Sequence, residues 1–347
     1  MSTPKENTIT LAHFFSEYFP QQGIDMWLEY GSALGAAREG GVIEGDHDID
    51  MAIWWKDWGK FKEILTKTDR LAPVAFLWDF RTFPLFNYEQ FPKGGEMCKI
   101  QVPNPDGSQS MSIDIYGLQE FDGIKCASAH LGPHTKNKSK LYHHKNLKKI
   151  KFEGLDFSVS AYVEKYLDYR YKDAAGTGKT WRTPLTSVEM EEHHSMEGHI
   201  PSYSKEDKVT ACVIGVFDLF HIGHLRLLER SSKIFDKVVA AVHLDEVVQK
   251  YKNKTPVIPY KHRVEMIKAC KFVDDVIEAP LPDHMEGNQL SGVEFLNNND
   301  LDYMVHSYAA QEFLDYHYAS IIKEHRLFLL EETSDYHTDD LIKRILK

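Results

Sequence analysis

From about residue 209 to residue 330 the chain alternates short β-branched runs with segments of helical spacing, and this alternation limits the possible folds more than any other feature. Val209–Val216 is an apolar run with Gly215 near its end, and Ile222–Ile234 follows with Leu225, Leu228 and Ile234 at helical intervals. Lys237–Leu244 is a second β-branched run. Helices near Lys261–Cys270, Val293–Asn298 and Gln311–Glu324 then alternate with strands near Val273–Ile277, Tyr303–His306 and Arg326–Leu330. Strand and helix exchanging at this pace predict a parallel sheet covered on both faces. Ligands of such sheets bind beyond the carboxyl ends of the strands.

The first half reads differently. Met26–Tyr30 and Asp48–Ile53 predict strands, Ser32–Arg38 a helix and Ser112–Tyr116 another short strand, a mixed α+β pattern. Residues 67–110 show no clear period. Between the halves, residues 184–207 are polar, carry Pro184 and Pro201 and lack periodicity, as a linker does. A length of 347 residues accommodates two domains, and the expected division is 1–185, a linker over 186–207, and 208–347.

Composition narrows the function. Asp and Glu outnumber Lys and Arg by 52 to 41, a formal net charge of -11, which argues against general affinity for nucleic acid. No apolar run approaches the roughly 18 residues of a membrane span, and the short apolar piece Leu11–Phe15 does not read as a signal peptide. Cys98, Cys126, Cys212 and Cys270 are too scattered for a structural zinc site or a disulfide framework, so a reducing cytoplasm is the expected setting.

Two segments carry the chemistry. In Gly215-Val-Phe-Asp-Leu-Phe-His-Ile-Gly-His224 a strand ends at a glycine, a short turn follows, and two histidines open a helix. His221 and His224, three apart, share a helical face beside the free N–H groups of the helix end, a ready anion site. Gly223 between them lets a phosphate approach the backbone. In the first half, Tyr30-Gly-Ser-Ala-Leu-Gly opens a helix and Asp48 and Asp50 alternate on a strand, which sets both carboxylates on one face. With Asp114 as a third acid from a neighbouring strand they would make a hard oxygen site for Mg²⁺ or Mn²⁺, and Gly31 and Ser32 at the helix start would hold a phosphate. Arg38 would either bind a donor phosphate or pair with Glu39 or Glu44. Seven lysines between residues 136 and 151, with His143 and His144, form a basic stretch that reads as a lysine-protected strand edge more readily than as an anion patch. His193, His194 and His199 sit in the linker.

The segment Gly215–His224, with Val242-His-Leu-Asp-Glu246, Pro256-Val-Ile-Pro-Tyr-Lys-His-Arg263 and Phe272-Val-Asp-Asp-Val-Ile-Glu-Ala-Pro280, resembles the cytidylyltransferase branch of the HxGH nucleotidyltransferases across residues 208–347. The resemblance implies an α/β Rossmann-like parallel sheet that joins CTP to a phospho-alcohol, releasing pyrophosphate. It implies that His221 and His224 hold the triphosphate, that Arg263 pairs with phosphate, that Gly215, Phe217, Asp218 and Gly223 shape the nucleotide site, and that Lys252 or Lys254 is the basic residue of a mobile loop. Glu332 and Asp335 stand where that family has arginine and glycine, and His306-Ser307 replaces its Gly-Asp pair.

The first half, through its glycine-rich helix, its repeated acids, Phe152-Glu-Gly-Leu155 and Tyr166-Leu-Asp-Tyr-Arg-Tyr171 with Trp181, resembles the LicD family. This is a branch of the α+β polymerase-β-type nucleotidyltransferase fold that includes the fukutin-related proteins. His47 replaces the middle of three successive aspartates, leaving Asp46, Asp48 and Asp50. The resemblance implies transfer of a phospho-alcohol from its CDP carrier to a glycan hydroxyl. Together the halves predict a bifunctional enzyme using CTP, a phospho-alcohol (phosphocholine or phosphoethanolamine before glycerol 3-phosphate or another alditol phosphate) and a glycan acceptor, with a homodimer through the second domain. The alternative is one active domain with the other a non-catalytic nucleotide-binding or docking module.

Overall fold

The strand that carries Asp48 and Asp50 runs through the middle of a mixed sheet, and the strand that ends at Gly215 through the middle of a parallel one. The computed structural model describes residues 3–68, 72–83, 95–102, 111–121, 123–128, 138–171, 181–182, 208–281, 291–307, 311–330 and 338–347. Its contacts divide the chain into two units, Met1–Glu206 and Asp207–Lys347. Among the described residues no helix is long and apolar enough to cross a membrane.

The first unit opens with α1 (Pro4–Gln21), whose Thr3 and Glu6 form a reciprocal cap that satisfies two backbone donors at its start. Then follow β1 (Met26–Leu28), α2 (Tyr30–Arg38), β2 (Asp48–Trp54), α3 (Trp58–Thr68), β3 (Leu77–Phe83), β4 (Gly95–Gln101), β5 (Ser112–Phe121), β6 (Lys125–Ser128), β7 (Lys138–Lys140), α4 (Tyr142–Lys145), β8 (Leu147–Phe152), β9 (Leu155–Ser160) and α5 (Val163–Arg170). The sheet order is β3-β4-β5-β2-β1-β9-β8, with β6 and β7 continuing from β5. The strands β2 and β5 run parallel with Asp50 opposite Asp114. Leu11, Phe15 and Phe19 of α1 and Phe61 and Leu65 of α3 pack with Leu28, Met51 and Ile115 in the main core. A second cluster joins Ala33 of α2 to Val163 and Tyr166 of α5 and to Trp181. A fully buried phenylalanine such as Phe15 contributes roughly 1.5–3 kcal/mol, so these contacts hold the helix that bears Gly31 and Ser32 against the acid-bearing strands.

Residues 67–110, without a period in the sequence, supply the antiparallel pair β3 and β4. In β3 Leu77 and Trp78 are both exposed, which blurs the alternation that would mark a strand. The lysine-rich stretch is edge protection: β8 ends the sheet, and its Lys149 and Lys151 pair with Glu17 and Asp156. His143 and His144 do not belong to that surface, because both are buried. A two-residue turn with positive φ at Glu153 and Gly154 joins β8 to β9, and the Glu153 carboxylate accepts the Val42 N–H.

The second unit runs β10 (Thr210–Gly215), α6 (Ile222–Ile234), β11 (Lys237–Val242), α7 (Asp245–Lys252), α8 (Tyr260–Lys268), β12 (Asp275–Glu278), α9 (Gly292–Asn298), β13 (Tyr303–Ser307), α10 (Gln311–Lys323), β14 (Leu327–Leu330) and α11 (Thr338–Ile345). All four pairings in the order β12-β11-β10-β13-β14 are parallel, the Rossmann-like sheet that the alternation predicts. The chain leaves β10 toward β11 on one side and returns to β13 on the other, so the crevice past Gly215 is the switch point where such sheets bind ligands. Helix α7 replaces an expected loop: Lys252 is its last residue, and Asn253 closes it in the left-handed region.

Candidate active sites

The first site is built on β2, β5 and the start of α2. The Gly31 N–H donates to the Asp50 carboxylate at 3.2 Å, and the Asp50 N–H donates to Ser32 Oγ at 2.9 Å. The helix start grips Asp50, a correction to the expectation that Gly31 and Ser32 would present their polar groups to a phosphate. Gly31 is needed for the approach, since a Cβ there would lie 3.2 Å from Asp46 Oδ2 and 3.4 Å from Asp50 Oδ2. Across the strands Lys99 Nζ lies 3.2 and 3.3 Å from the two oxygens of Asp114.

The acids crowd one another. Burial, then Asp46 and Asp114, push Asp48 up to about 7. Burial, then Asp48, Asp46 and Asp114, hold Asp50 well above the usual carboxylate range. This is an excess of buried negative charge that Lys99 offsets only in part. Among the described residues no three acid, imidazole or thiol side chains converge as a ready metal cage. Arg38 donates to Glu39 and to the Trp181 carbonyl, so of its two expected roles the structure shows the ion pair.

Beneath this site lies a group that sequence reasoning missed. Glu29, the residue before α2, is buried, accepts the Trp27 indole N–H at 2.7 Å and lies 3.4 Å from His144 Nδ1. His144 Nε2 is 2.9 Å from Ser139 Oγ. Burial opposes charging His144, but the Cys126 sulfur and the Glu29 carboxylate outweigh it and hold the imidazolium up to about 10. Burial likewise opposes Glu29, and His144 with hydrogen bonds from Tyr166 and Trp27 holds its carboxyl below the usual range. The Glu29 N–H donates to the Asp50 carbonyl at 3.0 Å, so this buried ion pair braces the strand that carries the acids.

The second site is the crevice past β10. Phe217 and Leu219 take positive φ in the turn after Gly215, and Phe217, buried, meets His224 edge-on at 5.4 Å between centroids. A Cβ at Gly215 would press on the Phe217 ring at 3.2 Å, which is why glycine ends the strand. His221 caps α6 by accepting the Gly223 N–H on Nδ1 at 3.2 Å, and His224 Nδ1 accepts the His221 N–H at 3.4 Å. The rings stack at 3.8 Å. With Nδ1 accepting on both rings, Nε2 is the nitrogen that bears the proton when the imidazole is neutral. Burial, then His221 and Lys252, hold His224 down to about 3, so it stays neutral.

Several expected phosphate contacts turn out to be braces. Arg263 is fully buried and donates to the carbonyls of Ile258, Val216 and His243 and to Asp245, tying the ends of β10 and β11 together. It therefore does not pair with phosphate. The Asp218 carboxylate is filled by the N–H groups of Val257, Ile258 and Leu219 and fixes the segment after α7. Of the two loop lysines, Lys254 pairs with Asp339 at 2.9 Å, while Lys252 borders the cleft, its ammonium pushed down by desolvation and by Lys254. Thr338, another residue missed in the sequence, donates to the Asp218 carbonyl and lies 3.3 Å from His221 Nε2. Glu332, Asp335, and the linker histidines His193, His194 and His199 lie outside the described residues.

Two units, each with a nucleotidyltransferase-type arrangement at the end of a central strand of its sheet, define the class, and comparison with known families gives each its place. The profile "LicD/FKTN/FKRP, nucleotidyltransferase domain" matches residues 23–161, and "Cytidylyltransferase-like" matches residues 212–341. The chain is a fusion of a LicD-type domain with a cytidylyltransferase-like domain. A probable choline-phosphate cytidylyltransferase from Schizosaccharomyces pombe is 36% identical over 139 residues, 38% of this chain and 36% of that protein. Choline-phosphate cytidylyltransferase 2 from Arabidopsis thaliana is 33% identical over 153 residues, covering 42% and 47% of the two chains. An FAD synthase from Pyrococcus horikoshii is 39% identical over 70 residues, 20% of this chain and 47% of that one. The chain thus spans less than half the length of these relatives.

Proposed function

We propose that the second unit makes a CDP-alcohol from CTP and a phospho-alcohol, and that the first unit transfers the phospho-alcohol from that carrier to a glycan hydroxyl. The observation that carries the reading is the stacked pair of imidazoles at the start of α6, each accepting a backbone N–H on Nδ1. A phosphate oxygen of the phospho-alcohol attacks the α-phosphorus of CTP, the bond to the bridging oxygen of the β-phosphate breaks, and pyrophosphate leaves. His221 and His224 donate to the oxygens on which charge builds, at the positive end of the α6 dipole. Thr338 gives up its contact with His221 Nε2 when phosphate arrives, and Lys252, at the cleft, neutralises the phosphate pair.

In the first unit an acceptor hydroxyl attacks the phosphorus next to the alcohol, its proton passes to a carboxylate of the cluster, and CMP leaves. The crowded oxygens of Asp48 and Asp50 suit a hard divalent cation, and Asp114 would join them by exchanging Lys99. Mg²⁺ or Mn²⁺ bound there would neutralise the diphosphate and polarise the attacked phosphorus. Choline-phosphate and ethanolamine-phosphate cytidylyltransferases both stand among the relatives, which supports choline or ethanolamine as the alcohol without deciding between them. The free cysteines fit a cytoplasmic setting. To test the reading, the protein is incubated with CTP, Mg²⁺ and a panel of phospho-alcohols, and pyrophosphate and the CDP product are measured by mass. Product with at least one alcohol, lost in His221→Ala, is expected; no product from any of them refutes it.

A further inference from the structure

Past the end of β10, beside Gly215 and Val216, lies a cleft open to solvent and bordered by His243, Tyr251, Lys252, Phe313, His317 and Tyr318. His243 stands where β11 ends. Its backbone is fixed on both sides, since its N–H donates to the Gly215 carbonyl at 3.2 Å and its carbonyl accepts Arg263 Nη2 at 2.9 Å. Its ring is 7% exposed, lies 5.5 Å from the Tyr251 ring, and its Nδ1 is buried with no hydrogen-bond partner. A buried polar atom without a partner is uncommon, and it carries a desolvation cost that ligand binding can recover. Burial, then Lys252, Arg263 and His317, hold this imidazole down to about 4, so near neutral pH the ring both donates and accepts.

We propose that His243 reads the alcohol moiety of the phospho-alcohol and selects one that ends in a hydrogen-bonding group, a hydroxyl or a primary ammonium, over a quaternary ammonium. The proposal rests on the reading of this unit as a cytidylyltransferase and names its substrate class. Lys252, the last residue of α7, borders the same cleft as His243 and Tyr251. A phosphate held at Lys252 would therefore direct its alcohol toward Tyr251, Phe313 and Tyr318, whose faces accept the carbon chain, with His243 at the wall. A hydroxyl or ammonium completes the imidazole's hydrogen bonding. Trimethylammonium has neither donor N–H nor lone pair, so it shuts water out and leaves the ring unpaired. Sites built to bond a polar group reject analogues that lack it more strongly than apolar pockets reject an added group.

The experiment compares kcat/KM of the full chain for phosphoethanolamine, glycerol 3-phosphate, ribitol 5-phosphate and phosphocholine at saturating CTP. At least one of the first three is expected to exceed phosphocholine by 10-fold or more, and the arms show whether the group is amine or hydroxyl. In His243→Leu the preferred substrate loses 10- to 100-fold through KM, phosphocholine changes less than 3-fold, and the KM for CTP holds. A wild-type preference for phosphocholine, or an equal loss for all four in His243→Leu, overturns the proposal. Imidazole ¹⁵N spectra separate this failure from failure of the underlying reading. If no CDP-alcohol forms, the cytidylyltransferase reading falls, while a His243 signal that moves with the hydrogen-bonding phospho-alcohols and not with phosphocholine still supports the selection. A signal that responds to none of them, or to all alike, refutes it.

Discussion

The two units treat charge in opposite ways. In the first, carboxylates crowd until Asp48 is pushed up to about 7 and Asp50 well above the usual carboxylate range. In the second, imidazoles are buried beside cations until His224 and His243 fall to about 3 and 4. One site is short of positive charge and the other of negative charge, and each shortage matches the ligand expected there, a divalent cation in the first and a phosphate in the second. The net charge of -11 says nothing of this. The lesson is that neighbours within about one residue's reach, and not the charge of the whole molecule, set what each site can hold.

The largest expected effect separates the units. His221→Ala or His224→Ala should lower CDP-alcohol synthesis by about 10²–10³-fold, as removal of a preorganised donor does. Asp48→Ala with Asp50→Ala should leave that synthesis within 2-fold and abolish transfer to the acceptor, both followed by product mass. Loss of synthesis in the acid variant would break the contrast.

Next in size is the ion pair beneath the acids. Glu29→Gln should destabilise the first unit by about 3–5 kcal/mol, the cost of stranding one buried charge, with the second unit's thermal transition unmoved. The pair also sets a pH dependence. His144 is held above its unfolded value, so its contribution is complete below pH 6.5 and is lost as pH rises toward 10. Glu29 is held below its unfolded value of 4.5, so its contribution is lost on acidification. Denaturant titrations should show first-unit stability falling between pH 6.5 and 10, with a shallower fall in His144→Gln.

Asp48 has the reverse sign for an acid. Its folded value is raised, so in EDTA its ionisation costs stability as pH climbs from 3.8 to 7. Asp48→Asn should therefore raise the first unit's Tm by about 2–4 °C at pH 8, for roughly 1 kcal/mol, and by nothing at pH 4. It should also remove most of the stabilisation that Mg²⁺ gives the wild type. The smallest effect belongs to the exposed Lys254–Asp339 pair: Lys254→Ala should change stability by less than about 1 kcal/mol, while Lys252→Ala should weaken CTP turnover more than Lys254→Ala does.

Legibility differed between the units for physical reasons. The parallel sheet was readable because each strand is followed by a helix and each period repeats locally, and the turn from Gly215 to His224 was readable because its chemistry lies in ten consecutive residues. What Arg263 does was not readable, since its partners Val216, Ile258 and His243 are backbone carbonyls brought in by three separate segments. His144 was hidden for the same reason: it sits next to Lys145 in a lysine-rich stretch, and its partners Glu29 and Ser139 come from β1's end and β7. That Gly31 and Ser32 bond Asp50 was not readable, because a helix start that faces a phosphate and one that faces an aspartate share one sequence. The strands β3 and β4 escaped notice because an outer strand with Leu77 and Trp78 both exposed has no single buried face to set a period of two.

The central claim is that two sites of opposite electrostatic character work in series. Phosphorus NMR of the full chain with CTP, Mg²⁺ and the phospho-alcohol panel tests it most directly, comparing wild type, His221→Ala and the Asp48→Ala/Asp50→Ala double variant. The account predicts pyrophosphate and a CDP-alcohol from wild type and from the double variant, and neither from His221→Ala. No CDP-alcohol from wild type, or its loss in both variants alike, would contradict it.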